Sequence, residues 1–261
     1  MSVRLRVAAA QIAISDDVDL NTAMVLQAMH TCAGHGVDLC VFPEAALTGY
    51  SPELGRSRPA SDSSLVMQAL ATVAAAAREH QMGVVVGTEA WDGDAWCNRA
   101  VAFGRSGELL AQYDKVHLTR ADTAYYRAGD ATPVFCFEGV RCGLQICYDA
   151  RFPEGYRALL EQGAQLILQG FYGAGSGTWK VPVLAAHLRS RAAENGCFIA
   201  AANTAGPEQI VVSQIIDPLG LLLAEARQDA EELISADLDI ACIGNSEIRS
   251  DWLSRFREHS R

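Results

Sequence analysis

An α/β fold with mixed sheets is predicted by three features of this sequence. Short apolar runs alternate with longer segments of helical spacing along all 261 residues. Several of the short runs lie only a few residues apart, as hairpins do, so antiparallel pairs mix with parallel ones. Half the residues are hydrophobic and a fifth are charged, the balance of a globular chain able to bury a substantial core. A single domain over 1–261 is expected, because no repeat, low-complexity tract or linker interrupts the pattern.

In the first run, RLRVAAAQIA, two arginines precede the apolar stretch in the manner of a signal peptide. Gln11 interrupts it, and Asp16 and Asp17 close it, so it reads as a buried first strand over 4–13 and the chain as cytoplasmic. A helix follows at 19–34, then a strand at 38–42 that runs into Pro43 and Glu44. The segment 48–64, rich in Ser, Pro and Gly, reads as a surface loop near the site. The alanine-rich 69-ALATVAAAAREH-80 places a helix over 62–80. Strands are then expected at 83–88, 97–103, 108–113, 133–137 and 140–146. Pro153 opens a helix over 153–162, a strand covers 165–169, and a helix covers 180–195. The last strands are placed at 197–202, 209–216, 220–225 and 232–238. From about 239 the tail is polar with spaced apolar residues, a helix suited to docking on a partner subunit.

Composition excludes several classes. A formal net charge of −10 with no basic cluster argues against a nucleic-acid surface. No apolar run approaches the roughly 18 residues of a membrane span. Eight cysteines are scattered, and Cys40, Cys136, Cys142, Cys197 and Cys242 sit in apolar stretches where free cysteine packs as a small hydrophobe. No C-x-x-C, H-E-x-x-H or zinc-like spacing occurs, so no metal or cofactor is expected. The chain has two lysines, Lys115 and Lys180, against nineteen arginines. Each lysine is therefore a candidate for a specific task.

Cys147 stands apart from the other cysteines. It ends the apolar strand GLQI, and the helix that follows directs its N-terminus to the same point. Reactive groups gather at the carboxyl ends of strands in α/β folds, and a helix start favours a thiolate and an oxyanion. A thiol nucleophile also needs a base and an oxyanion stabiliser. In 112-QYDKVHL-118, His117 and Lys115 both follow a strand directly. In 38-DLCVFPEAALTGY-50, Glu44 ends a strand among apolar neighbours, a sheltered setting that suits a carboxylate to proton transfer.

A carboxylate, an ammonium and a thiol at three strand ends, in this order, resemble the Glu-Lys-Cys triad of the nitrilase superfamily of carbon–nitrogen hydrolases. FPEAALTGY, YDKVHL and CYDARFPE are similar to that family's three motifs, and 189-RSRAAENGCFIAAAN-203 and 216-IDPLG-220 to its later landmarks. The resemblance implies a four-layer α-β-β-α sandwich that pairs into homodimers. It also implies Glu44 as general base and acid, Cys147 as the nucleophile that forms a thioester, and Lys115 with the Tyr148 N–H as oxyanion stabilisers.

The family's second glutamate falls here on Asp122, one methylene shorter, in a segment one residue short. The loop 170-GFYGAGSGTWK-180 is unusually glycine-rich, but it misses the G-x-G-x-x-G spacing of a dinucleotide site and reads as pocket lining. Candidate substrate contacts are Tyr50, His117, Arg151, Phe152, Tyr172 and Trp179, with Arg151 shaped to pair with a substrate carboxylate or with a nearby acidic residue. The CYDxRFPE variant resembles amidase branches, so a small aliphatic carboxamide is the expected substrate. An N-carbamoyl amine or a nitrile is the alternative within the superfamily. A catalytically silent interaction protein is opposed by the intact Glu44, Lys115 and Cys147, and a thiol redox protein by the lack of a resolving cysteine beside Cys147.

Overall fold

The computed structural model describes residues 3–54, 63–173, 179–207 and 209–259, except for the side chains of Asn245 and 256–259. Twelve strands occur among them, in chain order β1 (Arg4–Gln11), β2 (Leu39–Val41), β3 (Gly83–Trp91), β4 (Trp96–Phe103), β5 (Leu109–Asp114) and β6 (Val134–Phe137). They continue with β7 (Val140–Ile146), β8 (Leu166–Phe171), β9 (Phe198–Asn203), β10 (Gln214–Ile216), β11 (Leu222–Glu225) and β12 (Glu232–Asp239). The helices are α1 (Val18–Gly34), α2 (Ser63–His80), α3 (Pro153–Glu161), α4 (Lys180–Asn195) and α5 (Glu247–His259).

The strands form two six-stranded sheets, ordered β12-β1-β2-β3-β4-β5 and β11-β10-β9-β8-β7-β6. Both are mixed. In the first, β1, β2 and β3 are parallel, with antiparallel strands outside them. In the second, β7, β8 and β9 are parallel, again with antiparallel flanks. The two sheets thus repeat one pairing pattern, although no repeat is visible in the sequence.

Alternation along each strand explains the layering. On β1, Val7 and Ala9 point to the second sheet and join Leu144, Ile146, Leu168 and Ala202 in a core between the sheets. Ala8 and Ala10, on the opposite face, meet Val25 and Met29 of α1 and Val73 of α2. The outer face of the second sheet packs Ile167 and Ile199 against Leu159 of α3 and Leu188 of α4. The result is the expected four-layer α-β-β-α sandwich, with both sheets covered because their parallel centres are apolar on both faces.

Local chemistry fixes the helix ends. The Asp17 side chain accepts the N–H groups of Asp19 and Leu20 at 2.9 and 3.0 Å and caps α1. Pro153 sits in the first turn of α3, and Gly196 ends α4 in the left-handed conformation at φ 55°.

Several expected strands are shorter than the sequence suggests, β1 and β2 by two residues each. Of 209–216, only Gln214–Ile216 pairs as a strand. Side chains take the backbone groups before it: Asn203 donates to the Val211 carbonyl at 2.5 Å, and Gln11 accepts the Ser213 N–H at 2.8 Å. Before β11, Asp217 accepts the N–H groups of Leu219 and Leu221 and makes a turn where 220–225 was expected to begin extending. The tail forms α5 and lies on its own chain. Arg249 donates to the Asn195 and Gly196 carbonyls at 3.2 and 3.4 Å, and Arg157 lies 4.2 Å from the Trp252 ring centroid.

Candidate active site

Glu44, Lys115 and Cys147 lie just beyond the carboxyl ends of β2, β5 and β7, on the same edge of the sandwich. β2 stops at Val41, and the turn that follows carries Ala45 at φ 53°, in the left-handed region. Gly87 and Gly170 let this turn approach both sheets. A Cβ at Gly87 would lie 2.3 Å from the Pro43 carbonyl oxygen, and one at Gly170 would lie 2.7 Å from the Glu44 nitrogen.

Glu44 is fully buried and accepts three N–H donors. Its Oε1 takes Lys115 Nζ and Asn98 Nδ2, each at 2.7 Å, and its Oε2 takes the Tyr172 N–H at 2.8 Å. Lys115, also without exposure, makes a second ion pair to Asp122 Oδ2 at 2.9 Å. Burial alone would expel the proton of this ammonium. The Glu44 and Asp122 carboxylates oppose burial, and the lysine lies above its ordinary value, so it stays charged. Asp122 is held in turn by the Tyr50 hydroxyl at 2.5 Å and the Thr119 N–H at 2.8 Å. Tyr50 is pushed above the ordinary phenol value by burial and by the Glu44 and Asp122 charges, and it remains a donor.

Cys147 has φ 44°, a strained value for a residue with a side chain, where β7 turns sharply into a short 3-10 turn. Asp149 holds this elbow. Its Oδ2 accepts the Tyr113 hydroxyl at 2.8 Å and the Ile146 N–H at 3.0 Å, and its Oδ1 accepts the His117 N–H at 2.9 Å. The thiol itself departs from the sequence expectation. A helix start was expected to favour the thiolate. Instead burial, followed by the Glu44 charge, raises the thiol well above its ordinary value, and Lys115 only partly opposes them. Cys147 as a residue is only half-buried, and the Lys115 ammonium near it is already shared by two carboxylates.

A cavity of about 470 Å³ opens over Cys147. Tyr50, Tyr148, Arg151, Tyr172 and Trp179 line it, together with Lys180. His117 and Phe152 are not among the lining residues. Their rings stack at 3.9 Å and 5°, and His117 Nδ1 meets Asp149 Oδ1 at 2.8 Å, so both belong to the support of the elbow. Residues 174–178 of the glycine-rich loop, and 55–62 of the serine-rich one, lie outside the described residues.

Asn98 and Asp149 were not singled out in the sequence. Asn98 holds Glu44 by its side chain and Lys115 by its backbone, since its carbonyl accepts the Lys115 N–H at 2.9 Å. The available signal was a polar residue inside the apolar run CNRAVAF. For Asp149 it was a carboxylate two residues after the cysteine, which only the fold turns back toward His117.

The chain matches the carbon–nitrogen hydrolase family over residues 6–246. It is 32% identical over 234 residues to an (R)-stereoselective amidase of a Pseudomonas species, spanning 85% of this chain and 81% of that protein. It is 31% identical over 222 residues to the 2-oxoglutaramate amidase of Bacillus subtilis, spanning 78% of each. A solved structure of the Nesterenkonia amidase superposes with a TM-score of 0.80 at 28% identity, covering 95% of this chain and 97% of that one. A carbon–nitrogen hydrolase from Helicobacter pylori shares the fold with a TM-score of 0.85 at 19% identity, over 97% of this chain and 94% of that one. The chain belongs to the carbon–nitrogen hydrolase family, in the amidase-like branch of the nitrilase superfamily. It is a hydrolase of C–N bonds. Among the described residues no helix is long and apolar enough to cross a membrane.

Proposed function

We propose that the enzyme is an amidase that hydrolyses a small aliphatic carboxamide through a thioester on Cys147. The observation that carries this reading is the buried Glu44–Lys115 ion pair at 2.7 Å, with Cys147 at a strand end on the same edge of the sandwich. A neutral thiol needs a base at the moment of attack, and Glu44 is the carboxylate that acts on it most strongly. As Sγ bonds to the amide carbon, Glu44 takes the thiol proton. The oxyanion is met by the Lys115 ammonium and the Tyr148 N–H. Glu44 then returns the proton to the leaving nitrogen, ammonia departs, and the acyl group remains on sulfur. Water attacks the thioester with Glu44 as base, and acid and thiol are released. Asp122 orients Lys115 in place of the longer glutamate.

Support for a small amide comes from the Nesterenkonia amidase, 26% identical, of which a double mutant altered at a glutamate and at a cysteine is known in complex with acrylamide. In a glutamate-to-glutamine mutant of the same enzyme, acrylamide undergoes Michael addition at the active-site cysteine. The homodimer and the cytoplasmic location belong to this reading; sedimentation at micromolar concentration tests the first, and fractionation of cells the second.

The test is ammonia release across short amides, N-carbamoyl amines and nitriles, with Cys147→Ala alongside. Amides should be turned over fastest, and the variant should lose at least about a thousandfold in kcat, as removal of an acyl carrier does. Mass spectrometry of a slow amide should find the acyl adduct on the Cys147 peptide. Turnover undiminished by Cys147→Ala, or an adduct elsewhere, would remove the mechanism.

A further inference from the structure

The outer face of the second sheet, apolar where it meets Leu159 and Leu188, turns polar beneath the elbow that carries Cys147. There Gln145 of β7 and Gln169 of β8 lie side by side in register, both without exposure. A buried amide is costly unless its donors and acceptors are met. Gln145 makes no hydrogen bond from either amide atom among the described residues. Gln169 is bonded at both ends. Its Oε1 accepts the Tyr156 hydroxyl from α3, and its Nε2 donates to the Cys147 carbonyl at 3.4 Å.

The direction of the Gln169 amide is set from α3. Tyr156 is fully buried, and burial, followed by the Asp149 charge, raises its phenol well above the ordinary value, so it remains a donor. A donor at Oε1 leaves Nε2 as the end that faces the Cys147 carbonyl. Tyr156 is braced in turn, since the Arg191 guanidinium of α4 lies 5.7 Å from its ring centroid. Gly155 seats the first turn of α3 on the same face, where an added Cβ would stand 3.1 Å from Gln145 Oε1.

The Cys147 carbonyl matters because of the group across its peptide bond. It shares one planar trans unit with the Tyr148 N–H, so the two point in opposite directions. Cys147 itself sits at φ 44°, a conformation that its surroundings must hold. Tying the carbonyl to Gln169 on the outer side of the sheet therefore aims the Tyr148 N–H the other way. We infer that Gln169, oriented by Tyr156, is a positioning residue that holds the Cys147–Tyr148 peptide so that the Tyr148 N–H meets the oxyanion. The inference rests on the amidase reading and adds to it a side chain that touches no substrate. An oxyanion donor acts only as charge develops, so its misalignment lowers kcat and spares KM.

The experiment follows ammonia release by the full-length enzyme from whichever of acetamide, propionamide and butyramide wild type turns over fastest. Gln169→Leu keeps a side chain of similar size and removes the donor. It should lower kcat by about tenfold to a hundredfold with KM within about twofold of wild type, part of what loss of a whole oxyanion donor costs. Tyr156→Phe, which frees the amide to turn over, should lower kcat by a smaller factor. Methyl methanethiosulfonate forms a disulfide with the Cys147 sulfur and expels methanesulfinate without an oxyanion, so its rate should match wild type in both variants. Gln145→Leu, in the same buried layer, should keep the wild-type kcat. An unchanged kcat in Gln169→Leu, or in Tyr156→Phe where the first does not fold, overturns the positioning role. So does a methanethiosulfonate rate that falls with kcat, or an equal loss in Gln145→Leu, since either means general damage to the elbow. In these cases Cys147→Ala still loses turnover, and the amidase reading stands. If wild type releases ammonia from none of the three amides, or if Cys147→Ala turns over as wild type does, the amidase reading falls and this one with it.

Discussion

At the scale of single residues, the site works by making charges share partners in a dry place. One oxygen of Glu44 receives both Lys115 and Asn98, and Lys115 divides its proton donors between Glu44 and Asp122. Burial and the Glu44 charge push the Cys147 thiol up, and Lys115 opposes them. A group whose pKa is raised gains its reactive form only at higher pH, so the thiolate fraction of Cys147 rises through the ordinary thiol value of 9.0. Modification by methyl methanethiosulfonate, read as loss of amide hydrolysis, should therefore accelerate by about tenfold per pH unit, up to and beyond pH 9. A rate that levels off between pH 5 and 7 would mean that the resting site holds a thiolate, and Glu44 would lose its role as base toward sulfur.

At the scale of elements, strand ends and the turns after them position these groups, and glycines set how closely the turns approach. β8 passes so near the Glu44 turn that Gly170 has no room for a side chain. An added Cβ would stand 2.9 Å from the Pro43 carbonyl carbon and 3.0 Å from the Phe42 carbonyl oxygen. Backbone on both sides leaves no flexible atom to yield. Gly170→Ala should cost about 1–3 kcal/mol of stability by overpacking. It should also lower kcat at least about tenfold, because a displaced carboxylate no longer meets the reacting atoms. Urea midpoints and kcat measured on one preparation check this, and an unchanged kcat would show that the Glu44 turn absorbs the added carbon. Asn203 constrains the same region from β9, accepting the Gly173 N–H at 2.7 Å and donating to the Gly173 carbonyl at 3.2 Å. That clamp fixes the chain beside Tyr172, whose N–H is the third donor to Glu44.

At the scale of the whole molecule, the two sheets close over one shared core, and the site lies on the edge where they meet. The backbone joins them there: the Glu44 N–H donates to the Phe171 carbonyl at 3.3 Å, and Ile12 bridges to Thr204. Neither sheet buries its inner face without the other. The prediction is a single cooperative unfolding transition, in which tryptophan fluorescence, far-UV circular dichroism and amide hydrolysis are lost together in urea. Trp91 and Trp96 report on the first sheet, and Trp179 lies at the start of α4 on the second. Separated transitions would divide the chain into two units and contradict the expected single domain.

Most of the element order was readable because apolar period and turn residues are local properties. Strand limits were less so at 209–216 and 220–225, where Asn203, Gln11 and Asp217 capture backbone groups that the pattern assigns to a sheet. Glu44, Lys115 and Cys147 were legible as three polar groups at three strand ends, each beside its own motif. Asn98 and Asp149 were not, since each acts on residues far off in the chain. His117 and Phe152 show the converse: adjacent to motifs in sequence, they turn from the cavity and stack on each other. By itself, then, the sequence determined the layered α/β architecture, the family and the three polar groups at strand ends that are candidates for its chemistry, because these depend on local pattern and on residue type. Tertiary structure alone decided the surroundings of the Cys147 thiol, the partners of Glu44 and which side chains line the cavity. Those depend on burial and on distances between residues far apart along the chain, and only the closed sandwich sets them.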